Sequence, residues 1–174
     1  HHQAPNEGED FQMFEKDLPG ENKGGFSGDS KVGSLPLETA ETMAHRWGFS
    51  LQDKAYKSTK ELIQYLVKAA GYNSNFLLNV GPMPNGKIQP EFIETLEAIG
   101  EWTNSYGATI YGTRGGPIPP QSWGISTQRD NKVYLHIMDW KTDNFFFPTM
   151  EGKITAVTDF QTKKSLKYQT NTYG

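Results

Sequence analysis

The densest run of side chains able to do chemistry stands near the start of the chain. Glu7, Glu9, Asp10, Glu15, Asp17 and Glu21 fall in or just before GEDFQMFEKDLPGEN. A carboxyl can give or take a proton or attack an electrophilic carbon, and its surroundings decide which. Glu15 follows the apolar pair Met13-Phe14, and an apolar setting favours the neutral form that an acid catalyst needs. The other reading of Glu15 is a surface carboxylate in an acidic loop. Trp47, in Trp47-Gly48-Phe49, is a large amphipathic ring in a turn, and a core tryptophan is one reading of it.

Other chemistries find little support. Cysteine is absent, which removes thiolate nucleophiles, disulfides and cysteine metal sites. His1, His2, His45 and His136 show no spacing suited to a metal, and no phosphate-binding glycine motif precedes a helix, so neither metal nor cofactor is expected. A formal charge of -3 gives no footprint for nucleic acid or an anionic membrane. No apolar run approaches the ~20 residues of a membrane span. Aromatic residues reach 13%, with 4 Trp and 8 Tyr, which suits carbohydrate contact as well as core packing.

The elements that must position these groups read as α/β. LPLETAETMAHRWGF, residues 35–49, predicts a strand followed by a turn around Arg46-Trp47-Gly48. Ser58-x-x-Glu61 is a capping box, and Leu62, Ile63, Leu66, Val67 and Ala70 form one helical stripe ended by Gly71. Phe76 to Val80 is a short, continuously apolar strand of the kind a parallel sheet covers on both faces. Pro90 opens a second helix with Phe92, Ile93, Leu96 and Ile99 inward, closed by Gly107. Between them Gly81 to Gly86 breaks every regular element. Asn79 and Asn85 are read as satisfying turn backbone; Glu38 and Glu41 are read as strand carboxylates.

After Tyr111 the pattern changes. GTRGGPIPPQSWG reads as a linker, and KVYLHIMDW, NFFFPTM, KITAVTDF and KSLKYQT read as short strands of an antiparallel β-sandwich. The division expected is 1–113, 114–122 and 123–174, with both folded parts incomplete. The chain opens on His1-His2, either a tag remnant or an interior point of a longer protein.

GEDFQMFEKDLPGEN, LPLETAETMAHRWGF, NFLLNVGPMPNGKIQPE and YGATIYGTRGGP, in that order and spacing, resemble the later half of the catalytic barrel of α-L-fucosidases of glycoside hydrolase family 29. The resemblance covers roughly residues 1 to 140. It implies the C-terminal portion of a (β/α)8-like barrel followed by an antiparallel β-sandwich, with Phe76 to Val80 as the last barrel strand and Gly81 to Gly86 as its loop on the catalytic face. It implies a retaining exo-α-L-fucosidase acting on fucosylated oligosaccharides, in a periplasmic or secreted setting. The nucleophilic aspartate would lie on an earlier strand absent from this chain. The 174-residue piece alone would then be inactive and need the rest of its own catalytic domain.

The same resemblance makes Glu15, after Asp10-Phe11, the acid/base, with Glu21 as competitor because the position varies among branches. It places Trp47 against the fucose methyl and apolar face. His1 and His2 stand where many members have an arginine that holds nucleophile or sugar, a departure from the family pattern. A non-catalytic carbohydrate-binding or structural module is the reading from another class.

Overall fold

The computed structural model describes residues 7–25, 31–141, 144–148 and 150–171. Three parallel strands, β1 (Gln12–Glu15), β2 (Leu37–Thr42) and β3 (Ser74–Asn79), lie side by side in that order. Helix α1 (Thr59–Gly71) joins β2 to β3, and α2 (Pro90–Tyr106) follows β3. A 3-10 turn, Gly107–Thr109, leads to a second, antiparallel sheet of β4 (Arg114–Gly115), β5 (Gly124–Arg129) and β6 (Lys132–Ile137).

Local chemistry explains the helices. The Ser58 hydroxyl accepts the Glu61 amide at 3.2 Å while the Glu61 carboxylate accepts the Ser58 amide at 2.7 Å, closing the expected capping box. Pro90 stands at the first turn of α2, where its missing N–H costs nothing. Leu62 joins Met43, Ala44 and Phe92 in one buried cluster, flanked by Leu78, Val80, Leu96 and Ile99. Ile93, expected inside, is 42% exposed. A second cluster of Val67, Ile110 and Ile125, flanked by Ile63, Leu66 and Ala70, joins α1 to β5. A Cβ at Gly71 would meet the Ile125 side chain, so the end of α1 accepts the second sheet only as glycine.

Pairing in the first sheet sets Glu15 beside Ala40 and Ala40 beside Leu77, with Thr42 beside Asn79. Because side chains alternate along a strand, these five share one face, and Phe14, Thr39, Glu41, Phe76 and Leu78 share the other. Helix α1 covers the second face: Tyr65 stacks on Phe76 at 5.1 Å, and its hydroxyl lies 3.1 Å from that of Thr39. The continuously apolar run predicts cover on both sides. Leu77, on the face away from α1, is 40% exposed.

The structure departs from the sequence reading at several points. Strand β1 lies in what reads as an acidic loop, and β3 starts two residues before Phe76 and ends before Val80. The stretch read as a linker contributes β4, which pairs with β5. Strand β5 was not expected, and the segment from Lys132 is its hairpin partner, ending at Ile137. In NFFFPTM, KITAVTDF and KSLKYQT the described residues form no strand, only an isolated bridge between Thr158 and Ser165. Their aromatics instead pack on one another: Phe145 and Phe147 meet Trp123 edge-on, and Trp140 meets Phe145 at 4.4 Å.

Candidate active site

Parallel strands present all their carboxyl ends on one edge, so whatever terminates β1, β2 and β3 is gathered there. Glu15 ends β1, Thr42 ends β2 and Asn79 ends β3. The turn after β2 swings Trp47 across this edge, and its indole Nε1 donates to Glu15 Oε1 at 2.9 Å. Glu15 and Trp47, 32 residues apart, therefore meet. Trp47 is half-buried, which leaves part of its ring open to a ligand. Lys16, with φ 58°, turns sharply after the strand. Its Nζ sits 5.6 Å from the Trp47 ring centre and donates to the His45 carbonyl at 3.0 Å.

Glu21 goes elsewhere. Its amide donates to the Leu18 carbonyl, and its carboxylate meets Lys23 Nζ at 2.5 Å. Its field reaches the α1 side of the sheet. Burial first, offset by the Thr39 hydrogen bond and reinforced by the charges of Glu41, Asp17 and Glu21, pushes the Tyr65 phenol up to about 12. Burial and then Glu21 also raise Tyr72, just beyond α1. Buried Asp17 accepts the amides of Lys23 and Gly24 at 2.8 and 3.0 Å, fixing the turn that carries Glu21. Glu15 and Glu21 thus hold different partners, the Trp47 indole and the Lys23 ammonium.

The remaining strand carboxylates take supporting parts. Glu38 is half-buried and accepts from Asn75 Nδ2 at 2.8 Å. Glu41 is buried on the α1 face, accepting the Thr42 amide at 2.8 Å and pairing with Lys57 at 3.3 Å. That lysine also donates to the carbonyls of Thr42 and Ala44, at 2.8 and 2.9 Å, so it clamps the backbone leading into the Trp47 turn. Asn85 Oδ1 accepts the Lys87 amide, the turn role expected of it. His1 and His2 lie outside the described residues.

The glycine-proline break after β3 has a steric cause. A Cβ at Gly81 would stand 2.5 Å from the Phe49 nitrogen and 2.6 Å from the Gly48 carbonyl carbon, so the β3 loop nests directly on the backbone of the Trp47 turn. The cavity beneath, bounded by Phe49, Tyr56, Gly81, Gln89 and Phe92, is about 10 Å³, room for one water at most. Among the described residues the strand ends form an open shelf. Lys16 and Lys57 did not stand out as functional in the sequence, whereas Gly81 did, as the start of the Gly81 to Gly86 loop that the resemblance puts on the catalytic face. Among the described residues no cluster of His, Asp and Glu could hold a metal.

A family model described as Alpha-L-fucosidase matches residues 1–108. The chain belongs to that family, glycoside hydrolase family 29. Human plasma α-L-fucosidase is 29% identical over 120 residues, covering 65% of this chain and 26% of that protein. The α-L-fucosidase of Branchiostoma floridae is 32% identical over 101 residues, 54% of this chain and 22% of its own length. Among solved structures, α-L-fucosidase isoenzyme 1 from Paenibacillus thiaminolyticus superposes with a TM-score of 0.79 at 30% identity, over 94% of this chain and 38% of that one. A family 29 fucosidase from Bacteroides thetaiotaomicron, at 24% identity and a TM-score of 0.76, covers 91% of this chain and 36% of its own, and shows the shared fold alone. The chain spans about a quarter of the length of the curated fucosidases it matches.

Proposed function

We propose that this chain is part of a retaining exo-α-L-fucosidase that uses water to release terminal α-L-fucose from oligosaccharides or glycoconjugates, with Glu15 as acid/base. The observation that carries the proposal is the Glu15–Trp47 hydrogen bond on the carboxyl edge of parallel strands. It sets a carboxyl and a sugar-sized aromatic face side by side, on the edge where barrel enzymes work. Retention needs a second carboxyl about 5 to 5.5 Å from the first. Glu41 lies on the other face, paired with Lys57, and the family resemblance places the second carboxyl, an aspartate, on an earlier barrel strand. On that resemblance the nucleophile is assigned to a strand outside these residues, and the 174-residue chain alone is expected to be inactive. The half-exposed Leu77 face supports a further part of the same catalytic domain packing there. A secreted or periplasmic setting fits a family whose human relative is named for plasma.

In the reaction proposed, Glu15 protonates the departing glycosidic oxygen while the external aspartate attacks the anomeric carbon. Glu15 then takes a proton from the water that releases fucose from the aspartyl ester. The test is chemical rescue in the complete enzyme. Glu15→Ala should slow natural substrates by roughly 10²-fold or more. With an activated aryl fucoside the ester should still form, and azide, needing no general base, should release fucosyl azide of retained α configuration. Glu21→Ala should behave as wild type. Rescue confined to Glu21→Ala would move the role to Glu21; rescue of neither would place the acid/base outside this chain or defeat the hydrolase reading.

A further inference from the structure

The Trp47 turn is held at consecutive carbonyls by the ends of two different strands. Asn79, the last residue of β3, donates through Nδ2 to the Trp47 carbonyl at 2.7 Å and toward Thr42 Oγ1 at 3.3 Å. The Thr42 hydroxyl, at the end of β2, donates in turn to the Arg46 carbonyl at 3.1 Å. Both N–H bonds of one primary amide are thus used, one on the turn and one on the group that fixes its neighbour. Immediately beyond, Gly81 presses on the backbone of Gly48 and Phe49. A turn pinned on this side leaves the Trp47 indole little freedom, and its single N–H points at Glu15. The contacts run from β3 through β2 to β1, across the edge where the chemistry is placed.

We propose that Asn79 is a positioning residue for the acid/base glutamate, acting through the backbone and indole N–H of Trp47. This rests on the assignment of Glu15 above. The ring of Trp47 then serves two ends, a face for the sugar and a donor that sets the carboxyl in line with the leaving oxygen. Asparagine suits the β3 end because it supplies two donors with no charge. Aspartate there would turn an acceptor toward the Trp47 carbonyl, and serine would be too short to reach it while holding Thr42.

The proposal makes a distinction that a merely structural role does not. Misplacing an acid hurts substrates whose leaving group needs a proton and spares those whose leaving group does not. In the complete enzyme, Asn79→Ser should lower kcat on a fucosylated oligosaccharide by about 10- to 100-fold, as a displacement near 1 Å can. On an activated aryl fucoside, formation of the fucosyl ester should change by less than about threefold. Trp47→Phe, which keeps the ring and deletes the donor, should show the same split with KM little changed. The two changes together should cost no more than the larger one, because both break the same connection.

Equal losses on both substrates in Asn79→Ser, or additive losses in the double variant, would overturn the role. So would wild-type behaviour of Trp47→Phe, a result that stands even if Asn79→Ser fails to fold. The azide experiment separates the two proposals. If Glu15→Ala is rescued while the double-variant losses add, Glu15 stands and only the Asn79 inference falls; if Glu15→Ala is not rescued, both fall.

Discussion

The two sheets of this chain are built on opposite principles. In the parallel sheet, β2, α1 and β3 follow one another directly, so β2 and β3 find each other and their covering helix within a short stretch of sequence. The cluster around Leu62, Met43 and Phe92 closes beneath the carboxyl edge, and the turn bearing Trp47 rests on it. The second region pairs one hairpin and two residues of β4, and beyond it the described residues form only an isolated bridge. Its aromatics cluster, yet Trp140 is 65% exposed and Phe146 62%. A βαβ unit carries its own cover, whereas a sandwich takes partners from far along the chain. The candidate site belongs wholly to the first kind.

If that contrast is real, damage to the parallel region should be the most costly. Leu62→Ala empties a position that is 1% exposed between α1 and the Trp47 turn, and should destabilise the complete enzyme by about 2–5 kcal/mol in urea unfolding. It should also lower activity, because Met43 in the same cluster leads into that turn. A loss below about 1 kcal/mol would mean that the site does not stand on this core.

The same contrast explains what could be read beforehand. Helix α1 was legible because its capping box and apolar stripe are local signals, and the Pro90 helix for the same reason. Strand β1 was not. Gln-Met-Phe-Glu is four residues amid charges, and its strand character comes from pairing with β2. Strand β5 was hidden by Ser126 and Thr127, buried polar residues that break the apolar pattern of a strand. Their hydroxyls are satisfied by the carbonyls of Ile118 and Thr109, which appears only in three dimensions. Conversely, Phe145-Phe146-Phe147 has strand propensity without a ladder. Of the candidate site, Glu15 and Trp47 were expected from family resemblance, but their hydrogen bond leaves no trace in local sequence.

A second effect, of middle size, should be confined to the antiparallel region. His136 of β6 lies inside it, its Nε2 2.9 Å from the Thr127 hydroxyl, which itself donates to the Thr109 carbonyl. That hydroxyl has spent its proton, so the Nε2 position carries the hydrogen. Burial drives the His136 pKa down to about 4, outweighing the contact with the Thr109 backbone. Above the unfolded value of 6.5 both states are neutral and nothing is lost. As pH falls from about 6.5 to about 4 the unfolded chain binds a proton that the folded chain refuses, so stability drops; below about 4 the difference is constant. Between pH 7 and 5 the β5–β6 amides should lose about 2 kcal/mol of protection in hydrogen exchange. The amides of α1 should move less, and His136→Gln should abolish the pH dependence. Equal loss in both regions would show that they open as one unit.

The smallest effect should come from the exposed aromatics, and it is the sharpest test of the contrast. Trp140 is 65% exposed, and its described contact is edge-on with Phe145 at 4.4 Å. Substitutions at exposed positions change stability by about 0.5 kcal/mol or less, and an aromatic pair adds about 0.5–1.5 kcal/mol beyond burial. Trp140→Ala should therefore cost about 1 kcal/mol and leave fucoside hydrolysis unchanged, since the ring lies in the region that carries none of the site. A loss approaching that of Leu62→Ala would mean that these rings are covered in the complete protein. The antiparallel region would then own a core as substantial as that of the parallel one, and the difference between them would reflect which residues are present, not how the two sheets are built.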